Sequence, residues 1–376
     1  MSNERYTKLD GLRGLLSVIV ALNHSFLVIA IPSYANVWGQ NYLEFYDLQS
    51  KLQQVFMLLG NGGVAVTLFF ILSGLVLGQS LSRIEFSTRG LTSFYTKRIL
   101  RLYPVYAFVI LLIAVYMKLG FAYQTFPMAS AWYNWWMNFD MTLKEFIYNF
   151  FFIHTYLGGV TWTLRVILIA SFIFPAFYLI YRKTTPFLDL LITVGLLVAG
   201  FTVLNIPDFR DLRYLYMFYA GLCLPKFKSF LADLPPRAIS LLATPVTLAL
   251  LASRYVTDEY IGGVVETVIG WFIIGIIVYS NKTRLFDFLN KQIFQFLGKI
   301  SYSLYLIHFS ILYILARLMF AFLPNLPYAS HYITLHSLLF GLSLLIAVYI
   351  SVFVHRFVEQ PSSTLANTIG QKIVKK

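Results

Sequence analysis

The chain has 376 residues, of which 59% are hydrophobic and only 12% charged. An ordinary soluble domain carries roughly a quarter charged residues, so a soluble globular class is excluded and a polytopic protein embedded in a lipid bilayer is implied. The formal net charge is +13, but the basic residues are spread over loops between apolar runs; no basic domain exists to hold a nucleic acid, and the positive-inside bias of membrane proteins accounts for the excess.

In chain order, hydropathy and helix breakers predict ten spans, near 13–32, 63–81, 103–120, 160–181, 187–204, 213–225, 238–254, 262–281, 300–322 and 335–355. A helix rising 1.5 Å per residue needs roughly 20 residues to cross about 30 Å of hydrocarbon, and 213–225 is short by that measure. Arg5 and Lys8 precede the first run as they would in a signal peptide, but no small-x-small cleavage site follows, so a retained first helix is expected. With both termini cytoplasmic, 21 of the 29 Lys and Arg residues fall in inner segments and six in outer ones, with Arg165 and Arg317 inside spans. That asymmetry favours ten spans.

The run "LKEFIYNFFFIHTYL" (143–157) is apolar enough to enter the bilayer, yet counting it as a span would place the later basic loops outside. An interfacial or re-entrant helix is expected there. The fold class is therefore all-α, with a single membrane domain over 1–361 and a short basic cytoplasmic tail over 362–376. Cys223 is the only cysteine, so an intrachain disulfide is impossible and thiolate metal or redox chemistry is unsupported. No metal is expected, and nothing in the sequence sets an oligomeric state.

The first span, "LDGLRGLLSVIVALNH" (9–24), begins on Arg13 and carries His24. Eleven steps of about 100° come to three turns plus some 20°, so the two share a helix face about 16 Å apart in depth. Asp10, at i−3, can hold the Arg13 guanidinium. This geometry suits a reactive imidazole at the inner end of a path with a cationic mouth; it equally suits a histidine bonded between helices and an arginine that flanks a span. In "YTKRILRLYPVY", Arg98 and Arg101 are i,i+3 neighbours at the start of the third span, either a phosphate site at a helix N-terminus or topological flanks.

Five segments in order carry a resemblance. "LDGLRGLLSVIVALNH" (9–24) resembles the opening signature of the acyltransferase family 3 membrane proteins, and "FFILSGLVLG" (69–78), containing Ser73, resembles their second-span motif. "KRILRLYPVY" (97–106) is similar to the family's Arg-x-x-Arg loop, "LGKISYSLYLIHFSIL" (297–312) to its late Ser-Tyr-Ser segment, and "FVEQP" (357–361), with Glu359, to the element that ends its last span. The resemblance implies an O-acyltransferase, usually an acetyltransferase, that moves an acyl group from cytoplasmic acyl-coenzyme A to a hydroxyl of a carbohydrate or glycolipid, in a bacterial cytoplasmic membrane. It implies His24 as catalytic histidine, Arg13 as its partner, and Arg98 and Arg101 as donor-binding residues, with His308 in the late motif. A histidine of pKa near 6.5 suits the removal of a hydroxyl proton near neutral pH.

In "GGVTWTLRVILIASFIFP" (158–175), Trp162 belongs to a stretch similar to the family's Trp-Ser/Thr-Leu motif, but Ile167 stands where many members carry Glu. Either the carboxylate is dispensable, or another acid such as Glu145 or Glu266 substitutes for it, or the chain is impaired. Ser301, Tyr305 and His308 follow at i, i+4 and i+7, a polar stripe that lines the donor path on the family reading and a packing network otherwise. Trp132, Trp135 and Trp136 in "SAWYNWWMNFD" are either an interfacial aromatic belt or a stacking surface for an acceptor sugar. Glu266, one turn into its span, is the acid expected to face a cavity, with helix pairing as the alternative. His154, His331, His336 and His355 read as structural. A glycolipid transporter or flippase is compatible with ten spans and a buried histidine, although no repeated half-structure is visible. An acyltransferase-like protein that no longer catalyses is the third reading, kept open by Ile167.

Overall fold

The computed structural model describes residues 3–30, 48–137, 139–202, 207–257, 259–280, 282–328 and 330–375. Among them the elements are helices: α1 (Asn3–Phe26), α2 (Leu48–Leu59), α3 (Gly62–Leu81), α4 (Thr88–Leu119), α5 (Ala131–Trp135), α6 (Leu143–Phe150), α7 (Thr161–Tyr181), α8 (Pro186–Phe201), α9 (Leu215–Cys223), α10 (Lys228–Asp233), α11 (Pro236–Val256), α12 (Glu259–Tyr279), α13 (Gln292–Phe322), α14 (Tyr332–Val354) and α15 (Gln360–Lys375). Seven helical stretches among the described residues are long and apolar enough to cross a membrane: 50–81, 88–119, 161–181, 236–253, 260–279, 292–322 and 332–375. These coincide with seven of the expected spans. Leu111, Leu112, Leu241, Leu345 and Tyr349 on these helices are exposed, as side chains facing lipid would be.

The other three expected spans take different forms. α1 starts earlier than expected and ends at Phe26, before residue 32; residues 31 and 32 lie outside the described residues. It stops because the chain turns into an extended contact, in which Ile29 bridges Ala129 and the Ala30 amide donates to the Met128 carbonyl. The stretch 187–204 is a 16-residue helix, α8, capped by Thr185, with 203 and 204 outside the described residues. The 213–225 segment is the nine-residue α9, buried at every position between 3-10 turns at Pro207–Tyr214 and Leu224–Phe227. Over 143–157 the helix α6 has eight residues, about 12 Å of rise, far too short to cross.

Close backbone approach sets the packing. A Cβ at Gly14 would collide with Gly298 and one at Gly298 with the Asp10 carbonyl; the same holds for Gly74 against Phe218 and Gly221 against Ile71. Only glycine admits these α1–α13 and α3–α9 contacts. Two apolar cores result. One joins the end of α1 to α4, α13 and α14, the other joins α3, α7, α9 and α12, and Tyr305 packs against both.

Two buried polar networks tie the second half. Glu266 on α12 is fully buried and accepts from Thr67 of α3 at 2.7 Å and Ser253 of α11 at 3.0 Å. Lys226 donates to Asp189 at 2.6 Å, to the Tyr181 and Thr184 carbonyls at 2.6 and 2.7 Å, and to the Thr184 hydroxyl at 3.1 Å. At the C-terminus, Pro361 has no N–H for the Phe357 carbonyl, and the helix widens into a π turn over His355–Glu359. Residues 362–375, expected as a tail, continue as α15 and pack on α4, where Ser93 donates to the Gly370 carbonyl at 2.8 Å.

Candidate active site

α1 and α13 run parallel from their glycine contact, so positions that advance equally along each helix face one another. Ten residues on from Gly14 and Gly298 stand His24 and His308, with His24 Nδ1 3.0 Å from His308 Nε2. The two rings are stacked, 5.3 Å between centroids and 9° between planes. His308 Nδ1 lies 3.1 Å from the Leu304 carbonyl oxygen. On its other sides the His24 ring meets the face of Trp132 at 5.5 Å and the edge of Phe309 at 5.6 Å.

Toward the opposite end of the same two helices lies a cleft of about 910 Å³, counting the space at its mouth, bounded by α1, α3, α4, α7 and α13. Three guanidiniums line it: Arg13, Arg98 and Arg101. Arg98 and Arg101 sit on one face of α4, which Ser87 caps. The three repel one another, with Asp10 and Glu359 as the carboxylates that act on Arg13. Asp10 reaches Arg13 at 3.6 Å, longer than a close ion pair, and Glu359 accepts from Ser303 at 2.7 Å. Arg98 donates weakly to Ser171 at 3.4 Å, while its buried Nε has no hydrogen-bond partner among the described residues. Same-sign charge left this poorly answered stabilises an anionic ligand.

Beyond the arginines the cleft turns apolar, with Phe69, Phe70, Leu164 and Ile167 on its walls and Ser73, Thr163, Ser301 and Tyr302 as its hydroxyls. It ends at Tyr305, whose hydroxyl is 2.9 Å from Thr163 Oγ1. Thr163 spends its one hydroxyl proton on the Val160 carbonyl, 2.7 Å away, so Tyr305 is the donor of that pair. The Tyr305 ring stands edge-on to Phe69 at 5.6 Å and to His308 at 5.9 Å. One aromatic ring thus separates the arginine cleft from the imidazole pair.

Of the residues singled out in the sequence, Arg13, Ser73, Arg98, Arg101, Ser301 and Tyr305 share the cleft, and His24 stands past its inner end. His308, expected along the donor path, pairs with His24. Trp132 is buried against His24 and Trp136 contacts Trp132 edge-on at 6.2 Å, whereas Trp135 is exposed. Trp162 packs on Phe70 and Tyr214, outside the cleft lining. Glu266 faces the α3 and α11 hydroxyls, and Glu145 pairs with His154 at 3.1 Å, so neither carboxylate stands in for Ile167 in the cleft wall. His336 is buried between Phe26 and Tyr332. Sequence reasoning passed over Thr163 and Tyr302; their signal was adjacency, one within the Trp-Thr-Leu stretch and the other within the late motif.

The family model described as an acyltransferase domain matches residues 6–355, nearly the whole chain. No curated protein and no solved structure matches it.

Proposed function

The chain belongs to this acyltransferase domain family and is a multi-pass membrane acyltransferase, and from that premise we propose that it transfers an acyl group, acetyl first among them, from cytoplasmic acyl-coenzyme A to a hydroxyl of a glycan or glycolipid, in a bacterial cytoplasmic membrane. The observation that carries this reading is the order of groups beside α1 and α13: Arg13 with Arg98 and Arg101 of α4 at the mouth, a narrow apolar cleft, Tyr305, then the His24–His308 pair.

Each part suits one part of the donor. The phosphates of coenzyme A need forked cations, which Arg98 and Arg101 supply with Arg13 beside them. The pantetheine arm fits a thin cleft with apolar walls and scattered hydroxyls, and its thioester must pass Tyr305 to reach the imidazoles. The acceptor enters from the opposite end, where Trp132 stacks on His24 and Trp136 stands against Trp132. His24 takes the acceptor hydroxyl proton as the oxygen bonds to the thioester carbonyl carbon. The carbon–sulfur bond breaks, and the same imidazole returns the proton to the departing thiolate. Direct transfer of this kind requires no relay of the acyl group through a second protein.

The test is turnover by purified protein in nanodiscs with acetyl-coenzyme A, following free thiol with and without a crude glycan extract. Glycan-dependent thiol release that falls at least about 100-fold in His24→Ala supports the reading. Equal release by both proteins removes His24 from the chemistry. Movement of a glycolipid without consumption of the donor replaces the reading with transport.

A further inference from the structure

Which ring nitrogen of His24 is free to take a proton follows from the hydrogen bonds around His308. A carbonyl oxygen only accepts, so in a neutral His308 the 3.1 Å contact to Leu304 puts the one ring proton on Nδ1 and leaves a lone pair on Nε2. That lone pair faces His24 Nδ1 at 3.0 Å, so His24 Nδ1 carries the proton of this pair and donates. The His24 lone pair then sits on Nε2, the nitrogen turned away from His308. The opposite assignment sets two lone pairs against each other at 3.1 Å.

We propose that His308 is a positioning residue of the acyl transfer: its hydrogen bond holds His24 in the Nδ1–H tautomer, presenting Nε2 as the base. This rests on the reading of His24 as the proton acceptor. A histidine base is commonly oriented by a carboxylate on its second nitrogen. Among the described residues no hydrogen bond or ion pair joins either imidazole to a carboxylate; the neutral His308, itself oriented by the α13 backbone, takes that place. The trio Trp132, Phe309 and His308 fixes the ring from three directions.

The proton balance is complete without titrating His308. Nε2 of His24 receives the acceptor proton, the imidazolium keeps donating from Nδ1 to His308, and Nε2 gives the proton to the thiolate as the thiol forms. The positive charge in between is stabilised by the His308 lone pair.

Three variants and one spectrum test it. His308→Leu removes the acceptor; kcat falls about 100-fold while KM for acetyl-coenzyme A stays within about twofold, the scale of a general-base contribution. His308→Gln, whose amide oxygen accepts from His24 and whose amide nitrogen donates to Leu304, recovers kcat to within about tenfold of the unmodified enzyme. Nitrogen-15 spectra of histidine-labelled protein in nanodiscs, with the His24 signal identified by its loss in His24→Ala, show the Nδ1–H tautomer in the unmodified chain. A His24 proton on Nε2 in that spectrum overturns the proposal even if His308→Leu fails to fold. So does full kcat in His308→Leu alongside an inactive His24→Ala, which leaves the acyltransferase reading standing. Full activity in His24→Ala overturns both.

Discussion

Lys226 and Arg98 each carry a cation into the helix bundle, and the structure answers them in opposite ways. Around Lys226 there are four acceptors for three protons, and Asp189 in turn accepts from Thr184 and from Tyr219 at 2.5 and 2.9 Å. Around Arg98 there are, among the described residues, one long bond to Ser171, an Nε without a hydrogen-bond partner, and two further guanidiniums. A polar group removed from water costs free energy unless its partners are supplied. Where the chain supplies all of them, the charge clamps helices together; where it supplies repulsion, we propose that the missing partner comes from a ligand. On that proposal, matched and unmatched charge divide structural work from binding in one membrane protein.

That division has measurable edges. Asp189→Ala leaves Lys226 partly buried with its charge unpaired, a loss on the scale of 3–5 kcal/mol for breaking a buried pair, so roughly that much; the expected outcome is a large drop in thermal stability in nanodiscs, read by unfolding, with coenzyme A affinity intact in the protein that remains folded. Gly298→Ala forces the α1–α13 contact apart at the Asp10 carbonyl. It should cost about 1–3 kcal/mol of stability and, by shifting His24 against His308, lower turnover as well; unchanged turnover at reduced stability would separate the crossing from the site. Raising salt from about 0.05 to 0.5 M shortens the screening length severalfold, so donor affinity should fall several-fold while the melting temperature barely moves. Trp132→Ala removes the ring stacked on His24 and should reduce kcat several-fold, whereas Trp135→Ala, at an exposed ring, should leave it unchanged; equal effects would return both to an interfacial belt.

What the sequence made legible was periodic or local. The face shared by Arg13 and His24, the Arg98–Arg101 pair and the Ser301–Tyr305 stripe all follow from counting along one helix, and the structure places five of these six residues around one cleft with His24 just beyond it. The long apolar helices were equally plain. The imidazole pair was not, because residues 24 and 308 lie 284 apart and only the glycine contact of α1 with α13 aligns them. The Tyr305–Thr163 bond and the Lys226–Asp189 clamp are likewise products of tertiary packing. α1 ends at Phe26 because an extended contact with 128–130 competes with the helix, a pairing that hydropathy does not encode. An acid one turn into a span, as Glu266 is, suits a cavity or a helix pairing equally from sequence; only the hydroxyls of Thr67 and Ser253, brought by packing, distinguish the two.

The account depends most on the arginine cleft being the donor site, and one experiment reaches it directly: equilibrium binding of coenzyme A to the nanodisc-embedded protein and to its Arg98→Ala, Arg101→Ala double variant, with thermal unfolding followed on the same samples. Loss of two charge-assisted contacts should weaken binding about 10- to 100-fold, with stability unchanged or improved because like charges have been removed. Unaltered affinity, or a loss of affinity accompanied by a loss of stability as large as that of Asp189→Ala, would contradict it and make these arginines part of the frame.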